Sequence, residues 1–172
     1  MAYVDTNVVI AKYAPRDPLN KDARAFFSYS KTRKVISPIS IVELMAVLSR
    51  LETELEVPAE LESEPWSRRI RAVAEFFIRD CRVSIVSSPI TARTKIAGTA
   101  IIIPLEYQSS IRQAHSLKLK TVDLIHLKCA ENVKKSGAEL NYFVTGDIDI
   151  LSHAEVIKDN LGITVTPPNR DL

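Results

Sequence analysis

The sequence predicts an α/β fold in which a mainly parallel central sheet is flanked by helices. Short apolar segments of strand length alternate with longer segments whose apolar residues recur at helical spacing, and this alternation is typical of parallel sheets. The 172 residues are 46% hydrophobic and 26% charged, a composition typical of folded proteins with a core of their own. We therefore expect residues 1–172 to form one domain.

Several apolar segments are expected to be strands of this sheet. They are Ala2–Val4, Val35–Ser37, Asn141–Thr145 and Ile163–Thr166. The last is expected at an edge, because Pro167 and Pro168 close it. A further strand lies either at Val83–Val86 or at Ile101–Ile103, since both segments are rich in β-branched residues. The sequence leaves that choice open.

Helices are expected between these strands. The segments are Asn20–Ser30, Ser40–Leu51, Trp66–Asp80, Leu105–Leu117 and Thr121–Ser136. Ser40 and Glu43 match a capping box, in which the glutamate side chain bonds back to the cap residue. Thr121 is expected to cap the last of these helices, and two lysines followed by Gly137 are typical of its end.

Composition also indicates the cellular setting. Cys81 and Cys129 lack metal-site spacing and are expected to be free thiols in a reducing cytosol. Asp5 interrupts the N-terminal apolar stretch, so no signal peptide is predicted. The longest apolar run, Ala97–Leu105, is too short to cross a bilayer and contains Pro104. A cytoplasmic protein with no membrane segment is therefore expected, and the net charge of +2 does not decide whether it binds nucleic acid.

One acidic segment, Glu52–Glu64, contains six glutamates and no basic residue. A solvated acidic face is the favoured interpretation. A mobile loop, a helix extension and a partner-facing surface remain alternatives.

Two enzyme classes are excluded by their missing motifs. The four glycines are scattered at positions 98, 137, 146 and 162, so no phosphate-binding loop is present. A phosphatase with an Asp-x-Asp motif needs a second aspartate where this chain has Asn7, which leaves its nucleophile without an acid–base partner.

Four carboxylates stand where a metal site of an α/β protein is expected. Asp5 and Asp147 directly follow apolar strands, whereas Glu43 and Asp123 lie in the first turns of predicted helices. Each one alone has a structural explanation as a capping or turn residue. All four, however, map to the carboxyl edge of the sheet, where ligands bind in this fold class.

Gathering these carboxylates has an electrostatic cost. Like charges about 4 Å apart repel by roughly 4 kcal/mol at an effective dielectric constant near 20. A hard divalent cation with oxygen ligands offsets that repulsion, so the sequence predicts Mg²⁺ or Mn²⁺ at this edge.

The segments that carry these carboxylates resemble the PIN-domain family, most closely its VapC-type toxins. The matching segments are Tyr3-Val-Asp5-Thr-Asn7, Ser40-Ile-Val-Glu43-Leu with Leu48-Ser-Arg50, Asp123-Leu-Ile-His126-Leu, and Phe143-Val-Thr145-Gly-Asp147-Ile-Asp149. The resemblance implies a PIN-like three-layer sandwich, an endoribonuclease, a homodimer and a cognate antitoxin. It implies a metal-ligand role for Asp5, Glu43, Asp123 and Asp147, with Asp149 as a fifth ligand. Residues 52–64 and 84–103 depart from the family pattern and leave substrate and partner open.

The chemistry expected from such a site is metal-assisted hydrolysis of an RNA phosphodiester bond, which leaves a 5′-phosphate. Hydrogen bonds from Thr6, Asn7 and Thr145 are expected to orient ligands or the attacking water. The basic residues expected to contact RNA are Lys12, Arg50 and Lys120. His126 is interpreted as a packed, hydrogen-bonded histidine, although it lies on the same helical face as Asp123.

Two other functions fit the same residues. One is a non-catalytic PIN-like scaffold that binds RNA or a protein, and Mn²⁺ titration separates it from the enzyme. The other is an RNA-processing nuclease that is not a toxin, which genomic context separates from the toxin.

Overall fold

The computed structural model describes residues 1–51, 54–61, 65–87 and 90–172. The strands are β1 (Ala2–Val4), β2 (Lys34–Ile36), β3 (Val83–Ile85), β4 (Thr91–Ile96), β5 (Thr99–Pro104), β6 (Tyr142–Val144) and β7 (Thr164–Thr166). The helices are α1 (Thr6–Tyr13), α2 (Asn20–Tyr29), α3 (Pro38–Leu48), α4 (Trp66–Asp80), α5 (Leu105–Leu117), α6 (Thr121–Lys135), α7 (Ile148–Ser152) and α8 (Ala154–Leu161).

The central sheet has five parallel strands in the order β3-β2-β1-β6-β7. The expected parallel α/β architecture and the expected strand positions are confirmed. The alternative strand positions are also settled, because Val83–Ile85 pairs with β2 whereas Ile101–Ile103 lies in a separate β4–β5 hairpin. All connections between the central strands pass through helices, which brings the carboxyl ends of the strands to one edge.

Helices cover both faces of the sheet and complete three layers. Ala2 and Val4 of β1 belong to a core shared with α1 to α4, whereas Tyr3 between them points into a second core shared with α6 and α8. This follows from the two-residue period of a strand, which sends neighbouring side chains to opposite faces. Tyr3 is therefore fully buried beneath α6.

Two predicted helix caps are wrong, and one of the two helices also starts earlier than predicted. Helix α3 begins at Pro38 rather than Ser40, with Ser37 as its cap and Ser40 completing the capping box. Proline is favoured in the first helical position, so it moves the start toward the strand. Helix α6 has Lys120 rather than Thr121 at its N-cap position. Glu43 is consequently free of any capping role and lies in the second turn of α3.

Part of the acidic segment packs against the helices. Glu52, Glu62 and Glu64 lie outside the described residues. Leu55 is buried and the backbone N–H of Glu56 donates to the Tyr13 carbonyl at 2.7 Å, so residues 54–61 are attached to α1. The glutamates of this stretch are exposed, in agreement with a solvated acidic face.

Both cysteines are free thiols. Within the described ranges, no helix combines the length and the apolar character needed to cross a membrane.

Candidate metal centre

The carboxyl edge of the sheet holds the acidic side chains singled out in the sequence. Asp5 follows β1 and precedes α1, and Asp147 follows β6 and precedes α7. Glu43 and Asp123 come from the early turns of α3 and α6. Because β1 and β6 are adjacent parallel strands, Asp5 and Asp147 emerge side by side.

Asp5 is 5% exposed and is oriented by neutral donors. The Thr145 hydroxyl donates to Asp5 Oδ2 at 2.7 Å, and Asn7 Nδ2 donates to the same oxygen at 2.9 Å. The backbone of residues 146 and 147 completes this arrangement, since Gly146 N–H donates to Asn7 Oδ1 at 3.1 Å and Asp147 N–H donates to Thr145 Oγ1 at 3.0 Å. Burial raises the pKa of Asp5, whereas His126 and the Thr145 hydrogen bond oppose that rise. The carboxylate group therefore has a fixed orientation, but its ionised form is unfavourable.

Glu43 is held from the opposite side by a histidine. His126 Nε2 lies 3.0 Å from Glu43 Oε2, and His126 Nδ1 lies 2.7 Å from the Tyr3 hydroxyl. Ligand atoms of Asp5, Glu43 and His126 lie within 4.8 Å of one another. Burial raises the pKa of Glu43, but the hydrogen bond and charge of His126 together with the neighbouring Thr6 hydroxyl outweigh burial, and the pKa of Glu43 falls below its ordinary value. Glu43 is thus an ionised side chain at neutral pH.

Asp123 is a carboxylate whose ionised form is poorly stabilised by its surroundings. Burial raises the pKa of Asp123 to about 6, and the negative charges of Asp5 and Asp147 add to that rise. Its Oδ2 atom is buried and has no hydrogen-bond partner among the described residues. An oxygen that is buried, crowded by negative charge and unsatisfied fits a cation ligand.

Asp147 and Asp149 lie where β6 leads into α7. Asp147 Oδ1 accepts backbone hydrogen bonds from Asp149 at 2.7 Å and Ile150 at 3.3 Å, so this oxygen caps α7. Asp149 forms an exposed ion pair with Lys120 at 2.8 Å, which lowers the pKa of Asp149. Lys120 also interacts electrostatically with Asp147 and Asp123. Lys120 is therefore a cation at the border of the acidic site.

The structure does not bring the other two predicted RNA contacts to this edge. Lys12 pairs with Asp80 at 2.5 Å at the C-terminal end of α1, whereas Asp5 lies at its N-terminal end. Arg50 follows the end of α3, about 10 Å along the helix axis from Glu43. Both residues therefore lie toward the ends of helices that lead away from the acidic edge.

Thr6 has a different position from that of Asn7 and Thr145. It is buried beside the Glu43 carboxylate, and its Oγ1 makes no hydrogen bond of good geometry to any described residue. Asn7 and Thr145 bond directly to Asp5, as a role in orienting that carboxylate requires.

His126 and Tyr3 are the site neighbours that sequence reasoning underestimated. The interpretation of His126 as a packed, hydrogen-bonded histidine is confirmed, but one of its partners is Glu43. The spacing from Asp123 to His126 was the available signal, because it places both on one helical face. Tyr3 gave no signal beyond its place between two buried strand residues.

The donor set fits a hard divalent cation. Its members offer carboxylate oxygens, which suit Mg²⁺ and Mn²⁺ better than softer metals. The unsatisfied oxygen of Asp123, and the rise in its pKa caused by burial and by the negative charges of Asp5 and Asp147, both indicate that the described side chains do not balance the negative charge of the site.

A family model of the PIN domain matches residues 2–156. The chain belongs to the PIN-domain family. No curated protein matches the sequence. Among solved structures, VapBC-1 from nontypeable Haemophilus influenzae is similar, with 17% identity, a TM-score of 0.54 and coverage of 97% of this chain and 98% of that one. At this level of identity, the likeness shows a shared fold, and the predicted family is confirmed.

Proposed function

We propose that this PIN-domain protein is a Mg²⁺- or Mn²⁺-dependent endoribonuclease and the toxin of a toxin–antitoxin pair. The observation that carries the proposal is the convergence of Asp5, Glu43 and Asp123 on one edge of the sheet, with an unsatisfied buried oxygen among them. Membership of the PIN-domain family supports the nuclease activity, and the similarity in fold to VapBC-1 supports the toxin role.

In this proposal the ligands are Asp5, Glu43, Asp123 and Asp147, with Asp149 at the border of the site. A bound divalent cation supplies an activated water and stabilises charge on the phosphate. Asn7 and Thr145 fix the direction of Asp5, and Thr6 lies beside Glu43. The carboxylates bind the ion and do not act as nucleophiles.

RNA is the proposed substrate, and Lys120 is its proposed phosphate contact. Lys120 is exposed and its only ion pair among the described residues is with exposed Asp149. Because exposed pairs contribute little free energy, this lysine can exchange Asp149 for a phosphate group at low cost. Water attack needs no 2′-hydroxyl, so the product is expected to carry a 5′-phosphate.

Partner binding is the second part of the proposal. An apolar groove of about 210 Å³ lies between α3, α5 and α6, and its lining includes Pro38, Ile39, Val42, Tyr107 and Val133. Val42 is 63% exposed and Tyr107 is 41% exposed, so exposed apolar side chains line the groove on two of its helices. We propose that an apolar helix of a cognate antitoxin binds here, and that the protein is a cytoplasmic homodimer.

The proposal is tested by replacing Asp5 with Asn and measuring cleavage of total RNA in Mn²⁺. We expect activity to fall by more than about 100-fold, because metal ligation contributes several kcal/mol to such reactions. Asp171→Asn, a remote exposed aspartate, is the matched control and should leave cleavage unchanged. Undiminished cleavage by the Asp5 variant would remove Asp5 from the site.

Three further measurements address the alternatives. Absence of Mn²⁺ binding at millimolar concentration in calorimetry would favour a non-catalytic scaffold. A small gene beside this one whose product neutralises its toxicity would separate the toxin from an RNA-processing nuclease. Light scattering tests the homodimer.

A further inference from the structure

His126 has two polar neighbours that together define which ring nitrogen carries a proton. Its side chain is 1% exposed, so water cannot replace either neighbour. Nε2 faces Glu43 Oε2 at 3.0 Å and Nδ1 faces the Tyr3 hydroxyl at 2.7 Å. Both ring nitrogens therefore already have a hydrogen-bond partner within the protein.

The chemistry of Glu43 determines the direction of the first bond. An ionised carboxylate only accepts hydrogen bonds, so Nε2 must be the donor whether the ring is neutral or charged. A protonated Nε2 has no lone pair for a metal ion. His126 thus cannot be a ligand in this arrangement, although its ring lies near enough to Asp5 and Glu43 to suggest one.

Tyr3 holds the far side of the ring. Its hydroxyl is fully buried and lies 2.6 Å from Ser37 Oγ and 3.4 Å from Ser40 Oγ, at the start of α3. In the neutral ring, Ser37 donates to Tyr3, Tyr3 donates to Nδ1, and Nε2 donates to Glu43. Tyr3 also stacks on Phe143 with ring centroids 5.3 Å apart, which fixes the hydroxyl relative to β6.

We propose that Tyr3 and His126 are positioning residues that hold Glu43 for the cation, and that His126 is not itself a metal ligand. This inference rests on the proposed metal-dependent function. In this proposal the histidine holds Oε2 of Glu43, and Oε1 is the oxygen that would bind the ion. Such hydrogen bonds to ligands typically contribute a factor of about 10–100 to metal affinity.

The first test is Mn²⁺ affinity measured by calorimetry. His126→Leu should weaken binding by about 10–100-fold, because Glu43 loses the hydrogen bond from His126 Nε2. His126→Gln should weaken it much less, because the glutamine amide nitrogen lies near the place of Nε2 and still donates to Glu43. Tyr3→Phe should give an intermediate loss. Tyr13→Phe is the matched control, since it removes another buried tyrosine hydroxyl, which donates to Asp80 at 2.6 Å, and it should leave Mn²⁺ affinity unchanged.

The second test uses spectroscopy and does not depend on activity. Nitrogen-15 NMR of the metal-free protein should show a protonated Nε2 on His126, and that proton should remain after Mg²⁺ is added. Pulsed electron paramagnetic resonance of the Mn²⁺-loaded protein should show no coupling to a directly bound nitrogen.

The outcomes separate the two proposals. A directly bound nitrogen, loss of the Nε2 proton on Mg²⁺ addition, or wild-type affinity in His126→Leu would overturn the positioning role while leaving the metal site intact. A wild-type protein that binds no Mn²⁺ would overturn both, and the contact between His126 and Glu43 would then be a feature of the fold alone.

Discussion

Replacing Asp123 with Asn should stabilise the metal-free protein and, in the same variant, weaken its response to metal. The substitution keeps the shape of the side chain and removes one negative charge from the crowded site. The new amide can donate to a neighbouring carboxylate, whereas the buried Oδ2 atom of Asp123 has no hydrogen-bond partner among the described residues. Charge removal should therefore be favourable for folding.

The magnitude follows from the pKa of Asp123, which is raised from 3.8 to about 6. Two pH units correspond to about 3 kcal/mol, and partial exposure to solvent reduces this to about 1–2 kcal/mol. Because the folded-state pKa is raised, the penalty is fully present above about pH 6 and disappears as the pH falls through the ordinary value. Asp123→Asn should thus be more stable than the wild type at pH 7.5 and equally stable near pH 4.

The assay is urea unfolding followed by circular dichroism, at both pH values, in EDTA and in Mn²⁺. Ion binding at about 100 times the dissociation constant stabilises a protein by about 2.7 kcal/mol, and the wild type should show more of this gain than the variant. Asp159→Asn, an exposed aspartate of α8, is the control for loss of charge alone. A variant that is less stable than the wild type in EDTA at pH 7.5, or that gains as much from Mn²⁺, would refute the electrostatic reasoning.

Three further changes have defined outcomes. Lys120→Met should weaken RNA binding and reduce the dependence of log affinity on log salt by about one, as measured by fluorescence anisotropy, with no change in stability. Gly146→Ala should destabilise the protein by about 1 kcal/mol, because its new methyl group would overlap the end of the Leu19 side chain and force it to move, and adding Leu19→Ala should recover part of that loss in a double-mutant cycle. Val42→Glu, at a 63% exposed position, should leave the unfolding free energy unchanged but weaken antitoxin binding in a pull-down or calorimetric titration.

The sequence was informative where local pattern and topology agree. Short apolar strands separated by helical segments fix a parallel sheet, and a parallel sheet brings the residues that follow its strands to one edge. Asp5 and Asp147 are predictable at this edge from the sequence, because both directly follow strands. Glu43 and Asp123 could be placed only through the helices that carry them.

Helix starts were less predictable, since several residues competed for the same position. Ser40 and Glu43 fit a capping box by spacing, but Pro38 is better suited to the first turn and Ser37 to the cap. Because the cap is Ser37 rather than Ser40, Glu43 lies in the second turn of α3 instead of the first, and there it contacts His126. Likewise, Ile101–Ile103 has the composition of a strand, yet membership of a sheet depends on a partner, and that partner is β4 rather than β2.

His126 shows why pairwise side-chain contacts were beyond the sequence. Its burial and hydrogen bonding follow from its place on the inner face of α6, but the identity of its partners depends on how three separate elements meet. Tyr3 reaches it from β1 and Glu43 from α3, at sequence separations of 123 and 83 residues. No local pattern encodes such a meeting, so only the packed structure reveals it.

The carboxylates of the site are kept in two opposite electrostatic states by different parts of the fold. Burial raises the pKa of Glu43, but His126 and Thr6 together more than offset burial and lower it, whereas burial and neighbouring charges raise the pKa values of Asp5 and Asp123. Glu43 is therefore a negatively charged side chain of fixed orientation even without an ion. Ionised Asp5 and Asp123 are unfavourable in free energy, and protonation or cation binding removes that penalty. Glu43 is already ionised at neutral pH, so it would be the first ligand to meet a divalent cation in the proposed metal site. Binding of that cation would then relieve the repulsion that acts on Asp5 and Asp123, and this combination of one ionised ligand and two destabilised ones is the physical basis of the proposed cation site.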